Sequence, residues 1–111
     1  MALMRDSQWV NPLRNGHFEE CNRLAAQQPP DLRNADLRML DLRQADLTRA
    51  DLRGAYLRNA DLRGLDLSGA SLEGASLHDA RVSGALLPAT LSAEEIRLSL
   101  IYGTRMRARR D

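Results

Sequence analysis

The sequence lacks several features that would define a function class. Its 111 residues include no lysine, a single cysteine and only four aromatic residues. One cysteine, Cys21, excludes an intramolecular disulfide, and no apolar run approaches the roughly 18 residues that a membrane span requires. Residues 1–10 contain acid and amide side chains where a secretory signal needs an apolar run, so we expect a cytoplasmic location without membrane association.

Charge of one sign is missing as well. All 16 basic residues are Arg, and they stand against 15 acidic residues, so the formal net charge is +1. A chain so close to neutral has no whole-molecule field that would attract nucleic acid or an anionic membrane surface. Strong electrostatic mimicry of DNA is disfavoured for the same reason.

What the sequence does contain is a repeat of five residues. Leu recurs at every fifth position, with one Val, twelve times without an insertion, at Leu32, Leu37, Leu42, Leu47, Leu52, Leu57, Leu62, Leu67, Leu72, Leu77, Val82 and Leu87. Ala stands two residues before nine of these positions, and the exceptions are Pro30, Leu40 and Leu65. The pattern selects one large and one small apolar side chain in each repeat.

Neither common secondary structure buries such a repeat. On an α-helix of about 100° per residue, a five-residue step carries the Leu around the helix and leaves no apolar face. On a continuous strand, an odd step places successive Leu on opposite faces. The chain is therefore expected to turn a corner every five residues, so that each Leu and each small residue point toward a common axis.

The run Gln-Ala-Asp-Leu-Thr-Arg-Ala-Asp-Leu-Arg-Gly-Ala-Tyr-Leu, residues 44–57, resembles the pentapeptide-repeat family, whose pattern is Ala, Asp or Asn, Leu and two variable residues. The resemblance implies an all-β solenoid, a right-handed quadrilateral β-helix with four repeats per coil and about three coils. Short α-helical caps are expected at both ends. Residues 1–29 then form an N-terminal segment with a capping helix, residues 30–89 the β-helix, and residues 90–111 a C-terminal helix for capping or dimerisation followed by a basic tail.

The outer positions alternate in charge. Asp precedes the Leu in seven of the first eight repeats, and Arg follows it in six. Stacking at twenty residues places Arg33 over Arg53, Arg38 over Arg58 and Arg43 over Arg63. These columns are either an Arg surface for a phosphate or carboxylate partner or, as we favour, a solvated surface kept soluble by mixed charge.

The N-terminal segment predicts one capping helix. Asn11 and Pro12 are typical of an N-cap and a first helical residue, and Pro29-Pro30 ends the helix. Cys21 is expected on the buried face and His17 on the surface. Two residues are too few for a metal site, so no metal or other cofactor is expected.

The C-terminal segment predicts a helix over residues 93–102. Ser92 and Glu95 form a capping box, and Gly103 is typical of the residue after a helix. Ile96 and Leu100 are expected to seal the last coil. The remaining apolar residues of the helix are candidates for a contact with a second subunit, and they are Leu98, Ile101 and Tyr102. A monomer with a wrapped helix is the alternative, and the tail from Arg105 to Arg110 is expected to be disordered.

No catalytic constellation occurs in the sequence, so an enzyme is not expected. The favoured hypothesis is a small, rigid protein–protein interaction module that forms a homodimer. A second hypothesis follows from the resemblance, because some family members mimic duplex DNA and protect DNA gyrase and related topoisomerases from quinolones. A third is weak nucleic-acid binding through the Arg columns and the tail, which the near-neutral charge disfavours.

Overall fold

The computed structural model describes residues 7–109, which contain three helices and a coiled repeat region. Helix α1 spans Val10–Arg14, α2 spans Phe18–Ala25 and α3 spans Ala93–Tyr102. The first two precede the repeats and the third follows them. None of these helices is long and apolar enough to cross a membrane.

The repeat region winds so that each residue lies beside the residue twenty positions later. Seven isolated parallel bridges have this spacing, among them Asp31 with Asp51 and Asp51 with Ser71. The Leu52 N–H donates to the Ser71 carbonyl at 2.8 Å, and the Ser71 N–H donates to the Ala50 carbonyl at 3.0 Å. One circuit, called a coil below, therefore takes twenty residues. The extended positions are single residues, and no longer strand is present within residues 7–109, so the stacked strands expected of an all-β solenoid are reduced to a ladder of bridges.

Each coil has four faces, numbered by the Leu that they place inside. Face one holds Leu32, Leu52 and Leu72; face two Leu37, Leu57 and Leu77; face three Leu42, Leu62 and Val82; and face four Leu47, Leu67 and Leu87. Ten of these twelve side chains are at most 2% exposed. Val82 and Leu87 lie in the last coil and are only partly buried.

The corners between faces depend on residues in the left-handed region. The second residue after the Leu has a positive φ at eight of the twelve repeats. At six of these the residue is Gly or Asn, with a φ of 58–78°, and these residues adopt such a conformation readily. Gly54, Gly64, Gly74 and Gly84 are the glycines of this set, and Asn34 begins it. Met39, with a φ of 66°, is the only long apolar side chain in such a corner among the described residues.

Leu65 shows how a large side chain is tolerated in a column of Ala. It is partly buried against the core, between Ala45 and Ala85 of the neighbouring coils. Within the described residues, no bridge joins Asp46 to Asp66, and neither the Leu47 nor the Asp66 N–H has a backbone partner in the adjacent coil. Face four therefore opens between the first two coils at the position where the extra volume lies.

The single N-terminal helix expected from the sequence is wrong. The segment forms a pair of short helices, α1 and α2, separated at Gly16, whose φ is 75°. Trp9 rather than Asn11 precedes the first helix, and Pro12 is its third residue. The early Gly breaks the helix and lets α1 fold back, which buries Trp9 and Leu13 against the core.

The interior ladder predicts a large difference between buried and exposed Leu. Leu57, which is fully buried, changed to Ala is expected to lower the free energy of unfolding by about 2–5 kcal/mol, because the narrow interior cannot close around the cavity. Leu86→Ala, at a site 59% exposed, is the matched control and is expected to cost less than about 1 kcal/mol. Urea unfolding of both variants at low protein concentration measures this, and equal losses would contradict the ladder.

Candidate interaction surfaces

Most of the Arg columns are occupied by their own acids. In five repeats the Asp before the Leu accepts two hydrogen bonds from the Arg after it, through Nε and Nη2, at 2.6–3.0 Å. The same Asp also accepts the backbone N–H of that Arg at 3.1–3.3 Å. These paired residues are Asp31 and Arg33, Asp36 and Arg38, Asp41 and Arg43, Asp51 and Arg53, and Asp61 and Arg63. The Asp thus fixes the turn and neutralises the Arg at the same time.

The pairing extends between coils and sets the titration of the acids. Arg43 lies 3.3 Å from Asp61 in the next coil as well as 2.8 Å from Asp41. The hydrogen bonds from Arg43 lower the pKa of Asp41 to about 2. The Arg partners lower the pKa of the other four paired Asp as well, in each case through side-chain hydrogen bonds first. Faces one and three therefore carry no open stripe of positive charge in their first two coils.

Face two breaks this pattern at Tyr56, which stands where the other repeats of the first two coils place Asp. Arg58, two residues later, is exposed, and it alone among the six column Arg has no carboxylate partner in the described part of the chain. Tyr56 instead receives Arg105 from the C-terminal segment, whose guanidinium lies 4.8 Å from the ring centroid and donates to the phenol oxygen.

A groove lies on the same face beside Arg58. Arg14 of α1 donates to the Asp36 carbonyl at 2.6 Å, and Asp36 is 4% exposed beneath Arg14 and Arg38. Arg14 and Arg38 therefore share the Asp36 carboxylate, and Arg58 lies beside them. We call this surface the face-two groove, and its lining residues are Arg14, Asp36, Arg38, Met39, Arg58 and Asn59.

The C-terminal segment closes faces one and two of the last coil. The Ser99 Oγ accepts the Leu77 N–H at 2.9 Å, and the Leu100 carbonyl accepts the Asp79 N–H at 3.0 Å. Met106 pairs with face one, since it accepts from the Gly74 N–H and donates to the Ala75 carbonyl. The chain from Leu100 to Met106 thus runs antiparallel to the last coil and takes the place of a further coil.

The expectation of a disordered tail is wrong for the residues that are described. Met106 is 1% exposed, and the Arg107 N–H donates to Glu95 at 2.9 Å. The Arg109 N–H donates to the Thr90 carbonyl at 2.7 Å. Arg110 lies outside the described residues. A single Met among arginines gave no periodic signal, which is why the sequence did not reveal that this segment packs on the last coil.

Faces three and four of the last coil remain open. In the second coil the Leu62 and Gly64 N–H groups donate to the third coil, but the equivalent Val82 and Gly84 N–H groups have no acceptor within residues 7–109, and neither has Leu87. Exposed apolar side chains lie in this coil and in α3: Leu86, Ile101 and Tyr102 are 59%, 50% and 69% exposed. We call these six residues the end surface. Leu98, also predicted as a contact residue, is partly buried.

The remaining candidate residues, Cys21, His17 and His78, lie apart from one another in the described structure. Cys21 is buried, and burial raises the pKa of its thiol. His17 is exposed at the start of α2, while His78 lies beside Gly103 at the other end. Within the described residues no group of three or more His, Cys, Asp or Glu side chains is placed to hold a metal ion.

The repeat region matches a known protein-family model. The model of pentapeptide repeats matches residues 31–64 and 50–87, with eight copies. The chain belongs to the pentapeptide-repeat family. The matched region is the coil itself, and the family is known to form a β-helix, in agreement with bridges twenty residues apart. No curated protein and no solved structure matches the chain.

Family membership accounts for the ladder but not for the two ends. Helices α1 and α2 and the segment from Ala93 to Arg109 lie outside the matched residues, as do Arg14 and Arg105. The face-two groove and the end surface both depend on these flanking residues. Family membership alone therefore does not account for either surface.

The Asp–Arg pairs predict acid sensitivity. Because the pKa of Asp41 is about 2 in the folded protein and about 3.9 in an unfolded chain, the stability from this pair is complete above about pH 4 and is lost as the pH falls through about 2. Urea unfolding between these pH values measures the loss.

The Arg43→Gln substitution is expected to raise the pKa of Asp41 in an NMR titration. The pKa of Asp66, which hydrogen bonds from Ser68 lower, is expected to stay low and serves as the control. An unchanged Asp41 would contradict the pairing.

The C-terminal closure predicts a specific cost at Ser99. Ser99→Ala removes the acceptor of the Leu77 N–H and the donor to the Thr104 carbonyl in a fully buried site. A loss of about 1–3 kcal/mol in the free energy of unfolding is expected, because buried polar groups are left without partners. Thermal and urea unfolding measure it, with Ser83→Ala on the exposed side of face three as the control, expected within about 0.5 kcal/mol of the parent.

Proposed function

We propose that the protein is a non-enzymatic binding module: a short right-handed quadrilateral β-helix, capped by helices, that presents rigid surfaces to other protein chains. The end surface is the observation that carries this proposal. An open coil edge is a template for pairing with another chain, and exposed apolar side chains in the last coil and in α3 favour association.

A second copy of the chain is the partner that the end surface supports best. The backbone N–H groups of Val82, Gly84 and Leu87 are available to pair with another coil edge, and an identical chain supplies one. A two-fold contact brings like surfaces together. The exposed side chains of this surface are apolar, namely Leu86, Ile101 and Tyr102, so such a contact buries apolar area on both copies.

The two nucleic-acid hypotheses have less support. A DNA mimic needs rows of unpaired acids, yet five ladder Asp accept bidentate hydrogen bonds from Arg. Binding of nucleic acid along the columns needs free arginines, and the same pairs occupy five of the six. Mixed charge of this kind favours a solvated surface.

Self-association through the end surface is tested by light scattering after size-exclusion chromatography. The parent protein is expected to form a dimer, and Ile101→Glu is expected to weaken it at least about tenfold, because a carboxylate enters an apolar contact. Met39→Glu is the matched control, since Met39 is more exposed than Ile101 but lies on face two of the first coil. The control variant keeps the dimer. A parent protein that stays monomeric, or equal losses in both variants, would contradict the proposal.

A further inference from the structure

Two departures from the repeat pattern meet in the face-two groove. Tyr56 replaces an Asp, which leaves Arg58 without the carboxylate that its five counterparts have. Met39 occupies a left-handed corner, where the other repeats with such a corner have Gly, Asn or Asp, and it is 76% exposed. The two side chains line the same groove.

The Met39 side chain makes too little buried contact to offset its left-handed backbone conformation. A left-handed conformation costs a non-Gly residue about 1–2 kcal/mol, and a side chain that is 76% exposed recovers little of this by burial. Strained residues that the core does not require are concentrated at functional sites. An exposed Met also adapts its shape to different apolar partners, which suits a binding surface.

The charges of the groove identify the complementary ligand. Arg14, Arg38 and Arg58 supply three guanidinium groups, while Asp36 is the one carboxylate among the described lining residues and is buried beneath two of them. An added carboxylate can therefore bind Arg58 without displacing an existing pair. Guanidinium groups bind carboxylates through two hydrogen bonds, as the five ladder pairs already do.

We propose that the face-two groove binds an acidic peptide segment of a partner protein, with a carboxylate on Arg58 and an apolar side chain against Met39. This inference deepens the proposed function, because it takes the protein to be a binding module and assigns a partner chemistry to a second surface. A nucleic-acid backbone fits the groove less well, since it offers nothing apolar for Met39 and the flanking Arg33, Arg43, Arg53 and Arg63 are already paired.

Fluorescence anisotropy with a labelled synthetic peptide that alternates Glu and Leu tests the groove on the full chain. Saturable binding is expected, and Arg58→Gln is expected to weaken it by about tenfold or more, the effect of losing a hydrogen bond between charged groups. Arg53→Gln changes the net charge equally but removes an Arg that Asp51 already occupies, so the expected loss is less than about twofold. No saturable binding, or equal losses in the two variants, would overturn the proposal.

Met39→Gly separates binding from stability. Gly adopts a positive φ without strain, so the midpoint of urea unfolding is expected to stay the same or rise while the affinity for the Glu–Leu peptide falls several-fold. A peptide that alternates Glu and Ser is expected to bind weakly to the parent and to be insensitive to this substitution. Equal binding of the two peptides would overturn the apolar part of the proposal.

Two further arms identify the ligand class and keep the two proposals separate. Tighter binding of single-stranded oligothymidylate than of the Glu–Leu peptide would overturn the peptide assignment in favour of nucleic acid. Ile101→Glu is expected to bind the peptide like the parent, and Arg58→Gln is expected to keep the dimer. Failure of self-association therefore leaves the groove standing, and failure of peptide binding leaves the end surface standing.

Discussion

The narrow interior of the coil is the constraint on which the rest of the structure depends. Each face admits one Leu and one small residue, and the next coil must place its Leu directly above, twenty residues later. Hydrogen bonds such as Leu57 N–H to the Ser76 carbonyl hold this register. Since overpacking such an interior costs about 1–3 kcal/mol, the five-residue period follows from packing rather than from helix or strand propensity.

The outer surface follows from the same geometry, and its exceptions indicate function. In five repeats the Asp before the buried Leu and the Arg after it lie side by side, so they pair and the columns become nearly neutral. Where Tyr56 interrupts the series, Arg58 is left to bind something else. Two other positions also depart from the repeat pattern. The corner at Met39 exposes an apolar side chain, and the coil edge at Val82 exposes a backbone N–H that has no acceptor within residues 7–109.

The sequence predicted what repeats or has a local signature. The interior ladder follows from periodicity, and the helix at Ala93–Tyr102 follows from Ser92, whose Oγ accepts the Glu95 N–H at 3.1 Å, and from Gly103 with its φ of 75°. Hydrogen bonds to backbone groups that are distant in the sequence have no such local signature. Asn22 accepts the Asp46 N–H and donates to the Gln44 carbonyl, and Met106 pairs with Gly74, only because the fold brings them to a coil edge.

Amide hydrogen exchange followed by NMR tests the register most directly. Slow exchange is expected for the Leu37 and Leu57 N–H groups, which donate to the next coil at 2.9 and 3.0 Å. Much faster exchange is expected for Leu47 and Asp66, which flank the opening that Leu65 makes on face four, although Leu47 is just 2% exposed. Exchange at Leu37 and Leu57 as fast as at Leu47 would contradict coil stacking at twenty residues as the interaction that holds the protein together.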